Sequence, residues 1–446
     1  NRFREELKSG KSVEEAVAQT VKTAGRTVFF SGITVMISLA SLMFFPQMFL
    51  KSFGYGGVAV VAIAIVGALI PLPAILALLG TKIDKFVVRK SAITPKEDGR
   101  WAHTARFVMK RPVAVVFLSL LILGTIASPI KDIVFSQVDT RVLPASDKAA
   151  IAAKVGQDKF PGEQANPVEI VIPNGTTKMV DINSFVSDLA NVPGIINIGA
   201  PETVGSDVRI AAIHSMSARS PEAENMIIKI RELKVPEGTL VGGVAADYAD
   251  SQIGIAKKLP LALGWIAIGT LLLLFMFTGS IILPIKAVIL NLLSLSATLG
   301  AMTWIFIGNN FTWLVGSFTN TGSIDTSIVI LIAVVAFGLS MDYEVFLLSR
   351  IKEEHDAGHS NIESVALGLQ KSARIITAAA VILSVVFAIF MTSGVTSIKT
   401  MGFGVALAVM LDATIVRGLL VPALMRLFGE NNWWAPKWMQ RFTLRH

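Results

Sequence analysis

Eight stretches of this chain are long and apolar enough to cross a hydrocarbon layer, and that feature excludes most folds at once. They lie at about 27–45, 54–79, 112–130, 260–278, 281–307, 324–348, 375–392 and 402–427. A span needs about 20 mostly apolar residues, and inside lipid every backbone N–H and C=O has to find its partner within the protein. Unbroken apolar runs of this length satisfy that requirement as helices. Composition agrees: 53% of the 446 residues are hydrophobic and 16% are charged, against roughly 25% charged in soluble domains. The expected class is an α-helical polytopic membrane protein.

The basic residues orient the spans. Segments 1–26, 80–111, 349–374 and 428–446 hold 6, 9, 4 and 3 Lys and Arg, whereas 46–53 and 393–401 hold only Lys51 and Lys399, and 308–323 holds none. Cytoplasmic flanks carry the positive excess, so the first group lies inside the cell and 131–259 lies outside. The net charge of +8 therefore reads as membrane topology and not as a nucleic-acid surface. With no cysteine, disulfides, thiolate metal sites and a Cys nucleophile are excluded. No phosphate-binding loop, zinc spacing or nucleophile elbow occurs, so neither an enzyme nor a cofactor is expected. The expected division is a cytoplasmic helical segment at 1–26, spans within 27–130 joined by a cytoplasmic connector at 80–111, an external domain at 131–259, spans within 260–428, and an interfacial basic and aromatic tail at 429–446.

The external segment changes period. NPVEIVI reads as a strand, VDINSFVSDLANV as a helix, and GIINIGA and DVRIAAIH as strands. SPEAENMIIKIREL reads as a helix with Ser220 as its cap and Pro221 in the first turn, and TLVGGVAA as a closing strand. The order βαββαβ is that of an α+β ferredoxin-like domain.

An internal repeat organises the rest. A shift of 348 residues lays Arg2 on Arg350, Glu5 on Glu353, Glu6 on Glu354, Gly10 on Gly358, Arg26 on Arg374, Lys51 on Lys399 and Gly54 on Gly402. One inserted residue then brings Pro73 to Pro422 and Gly80 to Gly429. The two copies point the same way through the membrane, as in parallel-repeat transporters. The counterpart of Asp342 falls ahead of residue 1, so the sequence reads as the C-terminal two-thirds of a longer protein.

Four ionisable groups interrupt the late spans. Asp342 and Tyr343 follow the run IDTSIVILIAVVAFGLSM, about 27 Å into a helix at 1.5 Å per residue. An Asp at mid-span costs about 2.5–3.5 kcal/mol on insertion scales, and such acids mark ion or proton pathways; the plainer reading is a structural carboxylate locking two helices. Asp412 and Arg417 share the last span. Five residues place them about 140° apart on an α-helix, so they are expected to meet groups on different neighbours. Ser31, Thr34, Ser38 and Ser41 form a hydroxyl stripe on the first span, of the kind that glues helices together. Lys51 and Lys399 read as interfacial lysines that snorkel to the outer surface.

The stretches GLSMDYEVFLLSRIKEEHDAG, the GFG at a span entrance and LDATIVRGLLVPALMRLFG followed by NNWWAPKW resemble the MMPL family of the resistance-nodulation-division (RND) superfamily over essentially the whole chain. The resemblance implies an RND/MMPL-type transmembrane bundle, with the eight spans as the fifth to twelfth of twelve. It also implies a multi-pass protein of the bacterial plasma (inner) membrane that exports lipids or other hydrophobic molecules, driven by the proton-motive force. Family roles fall on Asp342, Tyr343 and Ser31 as a proton relay, with Tyr343 as the hydrogen-bonding partner of Asp342, and on Asp412 and Arg417 as a buried charge pair. Expected partners are the hydrophobic substrate, membrane lipids, and accessory proteins or further copies of the chain. The competing readings are a sterol-sensing-like lipid receptor and a protein-translocation accessory of the same superfamily.

Overall fold

A computed structural model describes residues 2–84, 99–160, 162–439 and 441. Part of the expected connector, 85–98, and of the expected tail, 440 and 442–446, lies outside the described residues. Among the described residues, eight helices are long and apolar enough to span a membrane: Val13–Phe44, Met48–Ile83, Pro112–Asp132, Val244–Thr278, Ile282–Ile307, Thr326–Asp356, Asn361–Phe390 and Thr396–Trp433. They are called the first to eighth spans below.

The sixth span is the hub. It packs along the first, the seventh and the eighth, and the seventh and eighth also pack on each other. The sixth and eighth spans bury most of their side chains, whereas the second and third turn most of theirs outward, where a lipid environment makes exposure of Val60, Ile63, Phe117 and Leu118 favourable.

The repeat is visible as repeated local structure. Gly10 and Gly358 both end a helical turn at positive φ, 89° and 93°. Ser12 and Ser360 each cap the next helix by accepting from the N–H three residues on, Glu15 and Glu363. At Gly54 a Cβ would lie 3.3 Å from Leu39 O and Met43 N; at Gly402 it would lie 2.6 Å from Phe387 O and 3.2 Å from Met391 N. Leu39 and Met43 are themselves the 348-shifted partners of Phe387 and Met391, so the same close crossing is built twice.

The α+β domain has one mixed-size sheet covered by two helices. Its elements are β2 (Val168–Ile172), α1 (Met179–Leu189), β3 (Ile195–Ile198), β4 (Glu202–Val204), β5 (Asp207–His214), α2 (Pro221–Glu232) and β6 (Leu240–Gly242), after a two-residue β1 (Phe135–Ser136). The order β3-β5-β2-β6, all antiparallel, is the split-βαβ arrangement. Alternation on β2 sends Val168, Ile170 and Ile172 inward against Phe185, Ile227 and Ile230. Two elements were not expected: the helix Lys148–Lys159 and the edge strand β4.

TLVGGVAA is not a strand throughout. It pairs only over Leu240–Gly242, and the helix of the fourth span starts at Val244. Gly243 makes the switch: its φ is 95°, and a Cβ there would meet Pro167 O at 2.5 Å, so a side chain would be excluded both by conformation and by space. The helix then runs unbroken through Pro260 to Thr278, so hydropathy alone starts this span about 16 residues late. β1 pairs in parallel with β7 (Ile324–Asp325) directly before the sixth span. Asp325 accepts from Ile328 N–H at 2.9 Å and from Val138 N–H at 2.8 Å, and Tyr248 donates to Phe135 O at 3.0 Å. The hub helix is thereby fastened to the domain at its N-terminal end.

Candidate functional site

Asp342 lies on the sixth span where the first span comes closest. Gly338, one turn earlier, leaves only 3.3 Å between the place of a Cβ and Ser38 Cβ, and Ser38 Oγ donates to Val334 O at 2.8 Å. That close crossing brings Ser31 Oγ to Asp342 Oδ1, to which it donates a hydrogen bond. The remaining stripe hydroxyls serve the backbone: Thr34 donates to Ser31 O and Ser41 to Ser38 O, both at 2.6 Å. Ser31 alone of the four reaches a carboxylate.

Asp412 and Arg417 form a direct buried ion pair, the charge pair that the family resemblance implies, and contrary to the expectation from α-helical spacing that they meet separate neighbours. Residues Asp412–Leu420 are wound as a π-helix. In that winding residue i bonds to i+5, so two side chains five apart stack on one face instead of diverging by 140°. The α-helical angle was the wrong ruler for this segment. Ser340 completes the contact: its Oγ donates to Asp412 Oδ1 at 2.9 Å, and Arg417 Nη2 donates to that Oγ at 3.0 Å and also to the Ser340 carbonyl.

Tyr343 does not hydrogen-bond Asp342. Among the described residues Asp342 receives its bond from Ser31, while the Tyr343 ring lies 5.1 Å from the Arg417 guanidinium. Adjacent residues on an α-helix point about 100° apart; the sixth span therefore turns Asp342 toward the first span and Tyr343 toward the eighth. A cation held over an aromatic face is stabilised by the ring quadrupole, so Tyr343 belongs to the Arg417 cluster.

Glu344 was missed as a site residue. It is 6% exposed, and its Oε2 lies 3.7 Å from Arg417 Nε. The neighbourhood therefore holds three carboxylates, Asp342, Asp412 and Glu344, and one guanidinium. The available signal is an acid two residues beyond Asp342, still inside an apolar helix, where a buried carboxylate needs a partner of its own. Near the start of the fifth span, Lys286 Nζ donates to Asn432 Oδ1 at 2.6 Å. A small crevice lined by Asn291, Ser294, Ser340, Ala408 and Asp412 opens between the fifth, sixth and eighth spans.

Lys399 also departs from expectation. It does not snorkel: it is 5% exposed and donates to Val315 O at 2.9 Å and Met391 O at 2.8 Å. Both carbonyls end helices, where the backbone dipole favours a cation.

A helical bundle built on two parallel repeats, with an acid–arginine cluster in its hub and a split-βαβ domain, is the architecture of the RND superfamily. Solved structures agree in fold: two SecDF structures superpose on 96% and 95% of the chain at TM-scores of 0.52 and 0.54, with 12% and 13% identity, over 51% and 52% of those chains. The second of them is a translocon-associated membrane protein from Thermus thermophilus. The MMPL family model matches residues 1–115 and 201–444. This chain belongs to the MMPL family and is a multi-pass bacterial inner-membrane protein. It is 38% identical, over 99% of its length, to a membrane protein of Streptomyces coelicolor, of which it covers 61%. It is 34% identical to the trehalose monomycolate exporter MmpL3 of Mycobacterium tuberculosis, covering 52%, and 28% identical to the mycolic acid-containing lipids exporter MmpL11 of Mycolicibacterium smegmatis, covering 48%. The chain thus spans about half to three-fifths of the length of these relatives.

Proposed function

We propose that this chain belongs to a proton-driven exporter of lipids or other hydrophobic molecules, and that Asp342 is its proton-carrying group. Ser31 holds the Asp342 carboxylate against the first span, and Arg417 balances Asp412 and Glu344 a short distance away. The observation that carries the reading is the hydrogen bond from Ser31 to Asp342. It joins a span of the first repeat to the sixth span, so that protonation of one carboxyl changes the contact on which the two repeats meet. A charge crossing the membrane potential supplies about 2.3 kcal/mol per 100 mV, enough over a few protons to bias the rocking of one repeat against the other. Tyr343 contributes by backing Arg417, not by passing the proton. The relatives named as lipid exporters support the substrate class.

The test is substrate efflux with proton uptake, measured together in vesicles under an imposed pH gradient. Ser31→Ala is expected to slow both in parallel by about tenfold, on the scale of removing one partner from a buried charge-assisted hydrogen bond. Efflux that continues while proton uptake is zero would leave the carboxylate as a structural group. Binding of lipid without either flux would favour the lipid-receptor reading, and polypeptide movement without lipid efflux the translocation reading.

A further inference from the structure

The external loop after the fifth span combines features that its neighbours lack. Residues 308–323 contain no charged side chain. The backbone is left-handed at two non-glycine positions, Asn309 with φ 55° and Phe311 with φ 48°. For a bulky residue such as Phe this conformation is strained, and strain of this kind marks a segment held in place by its surroundings. Here it turns aromatic rings outward. Phe311 packs edge-on to Trp304 at 4.7 Å and to Trp313 at 5.9 Å, and Trp313 is 77% exposed, with Trp304, Phe311 and Leu314 also exposed.

The back of the loop is fastened as firmly as its front is bare. Asn310 Nδ2 donates to Trp304 O at 3.0 Å and Asn320 Nδ2 to Ile307 O at 3.0 Å. The short helix Thr312–Val315 ends on the buried Lys399 ammonium, through Val315 O. An apolar cluster facing water this way would be costly to keep. Its position supplies the alternative. It continues the outward face of the fifth span, where Ile289, Leu292 and Trp304 are exposed, at the external end of the bundle. Tryptophan is enriched at that depth, because its ring suits the boundary between headgroups and acyl chains.

We propose that residues 308–316 form a membrane-dipping loop that seats Phe311, Trp313 and Leu314 in the outer-leaflet interface, with Lys399 as its internal tether. The partner is the lipid surface itself. Because the loop is uncharged, the contact depends on apolar burial and not on anionic headgroups. Lys399 sits at the outer end of the span that carries Asp412 and Arg417 deeper in, so the seating of the loop and the position of that span are mechanically joined.

The absence of cysteine makes the test direct. Trp313→Cys, labelled with a fluorophore on the protein in phosphatidylcholine vesicles, is compared with Leu240→Cys on the exposed edge of the domain. At position 313, quenching by shallow nitroxide-bearing phosphatidylcholine is expected to exceed that at position 240 by about threefold or more, as for residues of an interfacial belt. Aqueous iodide should show the reverse order, and added anionic lipid or raised salt should change neither. Lys399→Met is expected to lower the lipid quenching at position 313. A label at 313 quenched by iodide and not by lipid would place the loop in water. Protection from both quenchers would mean that protein covers it. Either result overturns the proposal, and unchanged lipid quenching in Lys399→Met overturns the tether.

Discussion

Ser12 and Ser360 cap equivalent helices, Gly10 and Gly358 end equivalent turns, and Gly54 and Gly402 sit in equivalent helix crossings. The two copies of the repeat therefore share their caps, turns and close contacts. Their chemistry is not shared. Asp412 and Arg417 of the second copy correspond to Ala64 and Leu69 of the first, and Ser31 of the first corresponds to Ala379 of the second. Lys399 is buried between two helix ends, whereas Lys51 is half-exposed. Burial explains the asymmetry. The eighth span lies inside the bundle, where Ser340, Glu344 and Tyr343 can satisfy a charged pair. The second span turns Ala64 outward, where an isolated charge at mid-membrane costs about 2.5–3.5 kcal/mol or more. Packing residues can be copied with a helix; charges survive only where the copy also has the neighbours.

The sharpest way to break this comparison is Asp342→Asn. Asparagine keeps the size and a hydrogen bond to Ser31 but cannot change charge. Proton-coupled efflux should fall by about 100-fold or more, the scale on which a proton-transfer group acts, with expression and membrane insertion unchanged in parallel blots. Efflux at the native rate would make Asp342 a structural group, like Gly338 in the same crossing.

Next in size is Arg417→Met. It leaves Asp412 and Glu344 buried without a counter-charge, and removing one partner of a buried pair costs about 3–5 kcal/mol. Thermal unfolding in detergent should show the loss, and Arg417→Met combined with Asp412→Leu should recover much of it. If the single variant is as stable as the native protein, the cluster is not what distinguishes the second copy.

The lysines give a smaller contrast within one register. Lys399→Met strands the carbonyls of Val315 and Met391 and is expected to destabilise by about 1–3 kcal/mol. Lys51→Met should stay within about 0.5 kcal/mol, as for a surface substitution. Equal losses would mean that both lysines are tethers and the asymmetry is false.

The smallest effect is expected for Tyr343→Phe. The ring over Arg417 remains and no bond to Asp342 is lost, so efflux and stability should change little. Tyr343→Leu removes the ring and should cost about 0.5–2 kcal/mol. A severe Tyr343→Phe defect in efflux at normal stability would restore the phenol to the proton path.

Much of this protein followed from the order of its residues alone. Eight apolar runs of sufficient length dictate eight helices, because lipid offers the backbone no other partner. The Lys and Arg excess sets the direction expected for them. The 348-residue offset put the glycines that end turns and sit in crossings into register, because such local features are written in a few adjacent residues. The βαββαβ order was legible for the same reason, with the switch at Gly243 hidden because a Val-rich strand and the start of an apolar helix look alike over a few residues. Tertiary structure decided the site. The pairing of Asp412 with Arg417 depends on a π-wound turn that no spacing rule announces, the role of Tyr343 on which helix each face of the sixth span meets, and the burial of Glu344 and Lys399 on which neighbours close over them. A sequence states which charges enter the membrane. Only the packed bundle, with its low dielectric and fixed geometry, assigns each charge the partner that makes its burial affordable.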